Sequence, residues 1–313
     1  MKPLLRKWRN AKRASYANTI EEMAMLAVLS GQIKVKILAD SISEEGQRIT
    51  SYQLSYWRPI HSEFMTHRVF GRNASSSRAI PVKTMLKQVW TNPAMPMSWG
   101  LNKPGMQAGE EATGIRRMIS KYLWRTAGRC ACCFAWLLQK AGIHKQVANR
   151  VLEPWQFIHV VVTATEYDNF FELRDHEDAQ PEIHVLAHLM KQARLDSKPV
   201  LMKLGDWHLP YITDEEREQY DIETLKKVSA ARCCRVSYMK HDGTASDVET
   251  DLKLCERLVG SVPLHASPFE HQATPDVRVG SQNKWAIRAL HGNLVGWKQY
   301  RKYIEIKMWK QES

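Results

Sequence analysis

The sequence predicts an α+β fold, with one mixed or antiparallel sheet packed with helices. Three observations carry that reading. Short β-rich runs are bounded by turn residues. Longer stretches repeat apolar residues at helical spacing. The two kinds follow one another without the regular strand–helix–strand rhythm of a doubly wound sheet.

Taken in order, Lys34 to Leu38 alternates and is β-rich, a first strand. Ile49 to Tyr56 (ITSYQLSY) is a second. Pro59 breaks that run, and Ser62 to Phe70 reads as a short helix. Gly71 to Ser77 (GRNASSS) has the chemistry of a polar turn. Gly100 to Gly114, with Pro104 and several glycines, reads as a loop. Ile115 to Ala141 is helical, with a break expected near Gly128; Ile115, Met118, Ile119, Tyr122 and Leu123 share one face. Trp155 to Thr165 (WQFIHVVVTAT) is the strongest strand signal. Pro181 suits the first turn of a helix, and Ile183, Leu186, Leu189 and Met190 follow at helical spacing. Asp247 to Leu258 is a further helix, with Ser246 as its expected cap. The organisation is a basic extension over 1–30, a body over 31–281 and a basic, aromatic tail over 282–313. In the tail, Trp285, Trp297, Tyr300 and Tyr303 interleave with lysines, ready to pack on the body or on another subunit.

A chain of 313 residues buries roughly 70–75% of its unfolded surface, enough to fold without a disulfide or a metal. With 44% hydrophobic and 25% charged residues, it is neither a disordered chain nor a rod. No apolar run reaches the roughly 18 residues of a membrane span. Met23 to Leu29 is short and follows Glu21 and Glu22, so it is no signal peptide. A cytoplasmic protein without a membrane partner is the expectation. Six cysteines make no disulfide framework. Cys130 and Cys133 have a zinc-like spacing, but the adjacent Cys233 and Cys234 do not supply a second such pair. Buried thiols and no metal site are expected. The net charge of +12 attracts anions, from nucleotides to nucleic acid. Residues 1–20 carry six of the basic groups and no acid before Glu21. No dinucleotide fingerprint, phosphate-binding P-loop, His-Glu-x-x-His or nucleophile elbow occurs.

Three polar constellations remain. His67, Arg68, Arg72, Asn73, Ser75, Ser76, Ser77 and Arg78 fall within twelve residues. Hydroxyls and amides in such a loop cradle a phosphate, and arginines grip it. Asn169 to Ile183 gathers Glu172, Arg174, His176, Glu177, Asp178, Gln180 and Glu182 at a helix junction. His265-Ala-Ser267-Pro268-Phe-Glu270-His271 sets two histidines around an acid and a hydroxyl. A solvated basic loop, an acidic capping turn and a structural ion pair are the plain alternatives for these groups.

Together these pieces resemble the flavin-dependent thymidylate synthase family. Its hallmark is Arg-His-Arg, seven residues, Ser, and an Arg two beyond; His67, Arg68, Ser76 and Arg78 match it, and Asn73 falls on the family's Asn. Leu173-Arg174 with Ala179-Gln180 and Glu182-Ile183 is similar to its Leu-Arg…Ala-Gln-x-Glu-Ile block. Arg150 in ANRVLEP, the AARCCRVSY run over 230–238 and HASPFEH are similar to three more. The matches span about residues 49 to 274. In the family the last two elements precede the Arg-His-Arg triplet; here they follow it. A circularly permuted core is the simplest account, feasible when the original termini lie close. It places His265 to His271 near His67 and Arg68. The chain departs from the pattern at Thr66 for Arg, Glu63 for Gln, Ala74 for an acid, and Thr163-Ala-Thr165 for Asn-x-Arg.

The resemblance implies FAD bound across a homotetramer, methylenetetrahydrofolate and NADPH as co-substrates, and methylation of dUMP to dTMP. Carried over by position, Arg174, His265 and Ser76 would serve the chemistry. Glu63, Ser76, Ser77, Arg78, Arg150 and Arg174 would hold the nucleotide. His67, Arg68, Asn73, Asn169, Ser237, His265 and Ser267 would line the flavin. A 5-hydroxymethylase on the same scaffold is the alternative. A nucleic-acid-binding protein using the basic arm is the third reading, disfavoured because the aromatics are scattered.

Overall fold

The computed structural model describes residues 19–237 and 247–312. Most of the basic arm, together with Ser246, lies outside the described residues. Helix α1 (Ile20–Leu29) precedes a long antiparallel hairpin of β1 (Lys34–Ser43) and β2 (Arg48–Trp57). After a single helical turn, α2 (His61–Phe64), comes β3 (Gly71–Ala74). Two helices, α3 (Val82–Thr91) and α4 (Gly114–Lys140), and the short α5 (Lys145–Ala148) lead to β4 (Phe157–Ala164). Then come α6 (Asp168–Arg174), α7 (Pro181–Asp196) and β5 (Val200–Met202).

The sheet order is β3-β4-β2-β1-β5. β5 runs parallel to β1 and the other pairs are antiparallel, so the sheet is mixed. The chain is α+β. Period-two alternation decides its two faces. Tyr52, Leu54 and Tyr56 of β2 and Val160 and Val162 of β4 point into one core with Phe64, Phe170, Ile183, Leu186 and Met190. The opposite face carries Ser51, Thr163 and Val161, all fully buried.

What buries that second face is the C-terminal part of the chain. It contains α8 (Asp214–Gln219), α9 (Ile222–Cys234), α10 (Val248–Val259) and a 3-10 turn at Ser267–Glu270. β6 (Ala273–Pro275) follows, then a small hairpin of β7 (Arg278–Val279) and β8 (Lys284–Trp285). β9 (Trp297–Gln299) pairs with β6, and α11 (Tyr300–Glu312) ends the described chain. The tail over 282–313 therefore packs on the body: Leu294 and Trp297 are wholly buried.

Several elements differ from their sequence reading. The helix expected over Ser62 to Phe70 stops at Phe64, because Thr66 Oγ1 donates to the Glu63 carbonyl at 2.7 Å and closes the turn. Part of the expected Gly71–Ser77 loop is strand β3, paired with Val160 to Thr163. α4 is unbroken at Gly128; that glycine lies against Trp155, where a Cβ would come within 3.0–3.2 Å of the indole. Asp247 caps α10, its carboxylate accepting from Thr250 N at 2.8 Å. Cys130 and Cys133 are exposed on α4 rather than buried.

Candidate active site

The three elements α2, the turn after it and the end of α6 bring Glu63, His67 and Arg174 together. Arg72 Nη1 fixes the turn by donating to the Met65 and His67 carbonyls at 3.1 and 2.9 Å. His67 is buried, stacked on Phe70 and edge-on to Phe170 at 4.9 Å. Burial, then the nearby Arg174 and Arg72 charges, pull its pKa below the ordinary imidazole value. Neutral His67 accepts a hydrogen bond at Nε2 from Arg174 Nε, 3.2 Å away. Its own proton therefore sits on Nδ1. Arg174 Nη1 pairs with Glu63 Oε2 at 3.1 Å. Among the described residues Arg174 Nη2 meets no acceptor, and the side chain keeps 23% exposure.

The Ser267–Glu270 turn packs on β3 at Gly71, which follows His67 and Arg68 by four and three residues. A Cβ on Gly71 would lie 3.4 Å from Glu270 Cβ. Glu270 is ion-paired with Arg301 of α11. His271 reaches across to β4, with Nδ1 2.9 Å from Thr163 Oγ1.

A second group forms where β3 runs out. Ser75 Oγ accepts from His159 N at 3.0 Å. Asn149 Nδ2 donates to the Ser77 and Ile80 carbonyls at 2.7 and 3.0 Å, and Lys145 Nζ to the Ala79 carbonyl at 2.9 Å. These bonds tie the Ser76–Ser77–Arg78 loop to the segment that carries Arg150. Ser77 is buried, Ser76 half-buried and Arg78 exposed. Arg150 pairs with Glu153 at 2.9 Å and stays 56% exposed. The acids near Arg174 in sequence, Asp175 to Asp178, are not the partners of either arginine; Glu63 and Glu153 are.

The residues expected to line a flavin divide. Arg68, Asn169 and His265 are exposed and Ser267 is half-buried. His67 turns inward to Arg174, and Asn73 is buried with Nδ2 3.3 Å from the Cys233 carbonyl. The Ser237 side chain lies outside the described residues. Thr163 and Thr165, which stand for the family's Asn and Arg, are bonded within the fold: Thr165 Oγ1 accepts from Val295 N at 2.9 Å. Among the described residues, His67 and Asn73 are thus spent on bonds within the protein, and Arg68, Asn169 and His265 face solvent. Among the described residues no group of three His, Cys, Asp or Glu side chains is placed to hold a metal ion.

Two buried networks were not visible in the sequence. One is a chain of hydroxyls and imidazoles through the second sheet face. It runs Ser41 Oγ–His208 Nδ1 (2.9 Å), His208 Nε2–Ser51 Oγ (2.8 Å), Ser51 Oγ–Thr163 Oγ1 (2.5 Å) and Thr163–His271. Burial pushes both imidazoles down to about 3. The other centres on Arg232 of α9. All three of its nitrogens donate: to Asp251 at 2.9 Å, to Glu216 at 2.8 and 2.6 Å, and to the Tyr211 carbonyl at 2.8 Å. Arg235 joins through Asp251 at 2.8 Å. Burial opposes the charge on Arg232, but the bonds to Glu216 and Asp251 outweigh it and raise its pKa.

No protein-family model matches the chain. No curated protein matches it either. Among solved structures it is similar to the UMP/dUMP methylase PolB from Streptomyces cacaoi bound with 5-Br UMP, at 16% identity and a TM-score of 0.40, over 51% of this chain and 87% of that one. The same methylase bound with 5-Br dUMP has 16% identity and a TM-score of 0.42, over 51% and 89%.

Proposed function

We propose that this chain is an enzyme that adds a one-carbon group to C5 of a pyrimidine deoxynucleotide, in the manner of the flavin-dependent thymidylate synthases. The leading reaction is methylation of dUMP to dTMP with methylenetetrahydrofolate and NADPH. The observation that supports it most is Arg174, held at Nε and Nη1 by His67 and Glu63 with Nη2 left over. An arginine fixed this way is oriented before the substrate arrives. Aimed at a ring carbonyl, it stabilises the negative charge that develops when C5 attacks the methylene carbon. Glu63 accepts but cannot donate, so it takes a ring N–H and leaves the carbonyls to Arg174. Arg78, Arg150 and Ser76 hold the phosphate, and Ser77 fixes their loop from inside.

FAD, when bound, supplies the electrons that turn the added carbon into a methyl group. Arg68, Asn169, Ser237, His265 and Ser267 are the residues this chain offers it, with a second copy in a homotetramer closing the cradle. His265 lies two residues before Ser267, which opens the turn beside β3.

The 5-hydroxymethylase reading is favoured by one observation. Thr163 and Thr165 use their hydroxyls inside the fold and Thr66 spends its own on the Glu63 carbonyl, where the family presents Asn, Arg and Arg. If reduction is lost, water adds to the exocyclic methylene and leaves a hydroxymethyl group with no reductant consumed.

Anaerobic turnover with dUMP, methylenetetrahydrofolate, NADPH and FAD, read by mass spectrometry of the nucleotide, tests this. Thymidylate is expected. Hydroxymethyl-dUMP selects the second reaction. Unchanged dUMP, and unchanged dCMP in a parallel assay, with no flavin retained on the protein would overturn both.

A further inference from the structure

α4 has its polarity reversed. Its small residues Gly128, Ala131, Cys132 and Ala135 face the protein, packed against Met85, Val89 and Leu152. The side turned to solvent carries Ile115, Ile119, Tyr122, Leu123, Phe134 and Leu137, each between 48% and 71% exposed. These positions recur on one helical face from Ile115 to Leu137 of the 27-residue helix, a stripe roughly 33 Å long. Beside it lies an apolar groove of about 490 Å³ between α3 and α4, walled by Trp90 and Trp136 with Lys87 at its edge. Arg129 sits over the Trp90 ring at 5.6 Å and Lys140 over Trp136 at 5.7 Å.

The same region is strongly basic. Residues 78–152 contain twelve Lys and Arg against only Glu110 and Glu111, a net +10 of the chain's +12. α4 itself has six basic residues and no acid. Arg116 and Arg125, both exposed, flank the stripe on its two sides.

An apolar surface of this extent marks a contact with something else. The charge decides what. A second copy pairing α4 on α4 would bring cations against cations, with no acid on either helix. A nucleic acid would satisfy the cations but leave Ile115, Ile119, Leu123 and Leu137 unmatched, because aliphatic side chains offer bases neither stacking rings nor hydrogen bonds. An anionic bilayer surface answers both. Aliphatic groups enter the headgroup–acyl boundary, Trp and Tyr sit at that level, and flanking cations reach the phosphates. We propose that the outward face of α4, with the adjoining groove, docks this protein on an anionic lipid surface. The contact is peripheral, since no helix among the described residues is long and apolar enough to cross a membrane.

Flotation of the full chain with vesicles of phosphatidylcholine, with and without phosphatidylglycerol, tests it. The protein should float with the anionic vesicles, not with phosphatidylcholine alone, and salt should release it. Arg116→Gln and Arg125→Gln should each weaken binding about fivefold. Ile119→Glu with Leu123→Glu should abolish it. All four positions face solvent; should the glutamate pair unfold the chain by circular dichroism, the two arginine variants still decide. No binding to anionic vesicles overturns the proposal. So does a lipid-free oligomer that the glutamate pair dissociates without any vesicle binding, or capture of a labelled single strand in place of vesicles.

Discussion

Arg232 and Arg174 are the same side chain in two settings. Each comes from a segment that resembles a family motif, and each is held by a carboxylate. Arg232 is 5% exposed and donates from all three nitrogens to Glu216, Asp251 and the Tyr211 carbonyl. Arg174 keeps 23% exposure and donates from two. The difference separates structure from readiness. A guanidinium with every nitrogen engaged and almost no exposed surface ties elements together; Arg232 joins α8, α9 and α10. A guanidinium fixed on one side and open on the other is a tool held by its handle.

The largest effect should fall on the saturated cluster. Asp251 is wholly buried and accepts from both Arg232 and Arg235. Asp251→Ala leaves two cations short of a partner and should cost about 3–5 kcal/mol, read as a lowered urea midpoint. A loss below about 1 kcal/mol would erase the contrast between the two arginines.

The hydroxyl–imidazole chain is the second buried network, and acid should break it. His208 and His271 have folded values of about 3 against an ordinary 6.5, because burial penalises the cation. Between those values the unfolded chain takes up protons that the folded chain refuses. Stability should therefore be steady above pH 7 and fall as pH drops from about 6.5 toward 3. By pH 5 the loss is about 2 kcal/mol per imidazole. His208→Gln should remove about half of that fall in the urea midpoint between pH 7 and pH 5, His271 keeping the rest; an unchanged slope would show that His208 is hydrated in solution.

Arg174 should show the opposite pattern. Arg174→Ala should leave the urea midpoint within about 1 kcal/mol of the parent. Turnover of the nucleotide should drop about a hundredfold or more. A variant that unfolds as readily as Asp251→Ala would make Arg174 a second structural clamp.

The sequence announced β2 and β4 because bulky β-formers alternate there over eight or more residues. It announced α7 through Pro181 and placed α10 over Asp247 to Leu258, with the cap assigned to Ser246 where Asp247 serves. β3 was hidden, being four residues of polar Gly-Arg-Asn-Ala that owe their strand to the edge of β4. Gly128 read as a break because the ring of Trp155 that covers it is 27 positions away. Glu63, His67 and Arg174 were legible as motif residues, but their mutual bonds were not; those depend on the Phe70–Phe170 box that turns His67 inward. Ser51 and Thr163 looked like the wet side of a strand. They are dry because His208 and His271, from distant parts of the chain, bond them, which no local pattern foretells. The carboxylates of the Arg232 cluster lie 16 and 19 residues away from it, too far for any helical spacing to reveal.

The smallest effect sharpens the comparison most. Arg150 is 56% exposed and its partner Glu153 is also paired with Arg58 at 3.2 Å. Removing Arg150 leaves Glu153 a cation, so Arg150→Gln should change stability by less than about 0.5 kcal/mol. If Arg150 grips a phosphate beside Ser76 and Arg78, the same variant should weaken nucleotide binding about tenfold, a charge-assisted bond's worth. Calorimetric titration with the nucleoside should then show no difference between variant and parent, because the phosphate is gone. An equal loss for nucleoside and nucleotide would move Arg150 from the phosphate to the base, beside Arg174, and the site would have one pole instead of two.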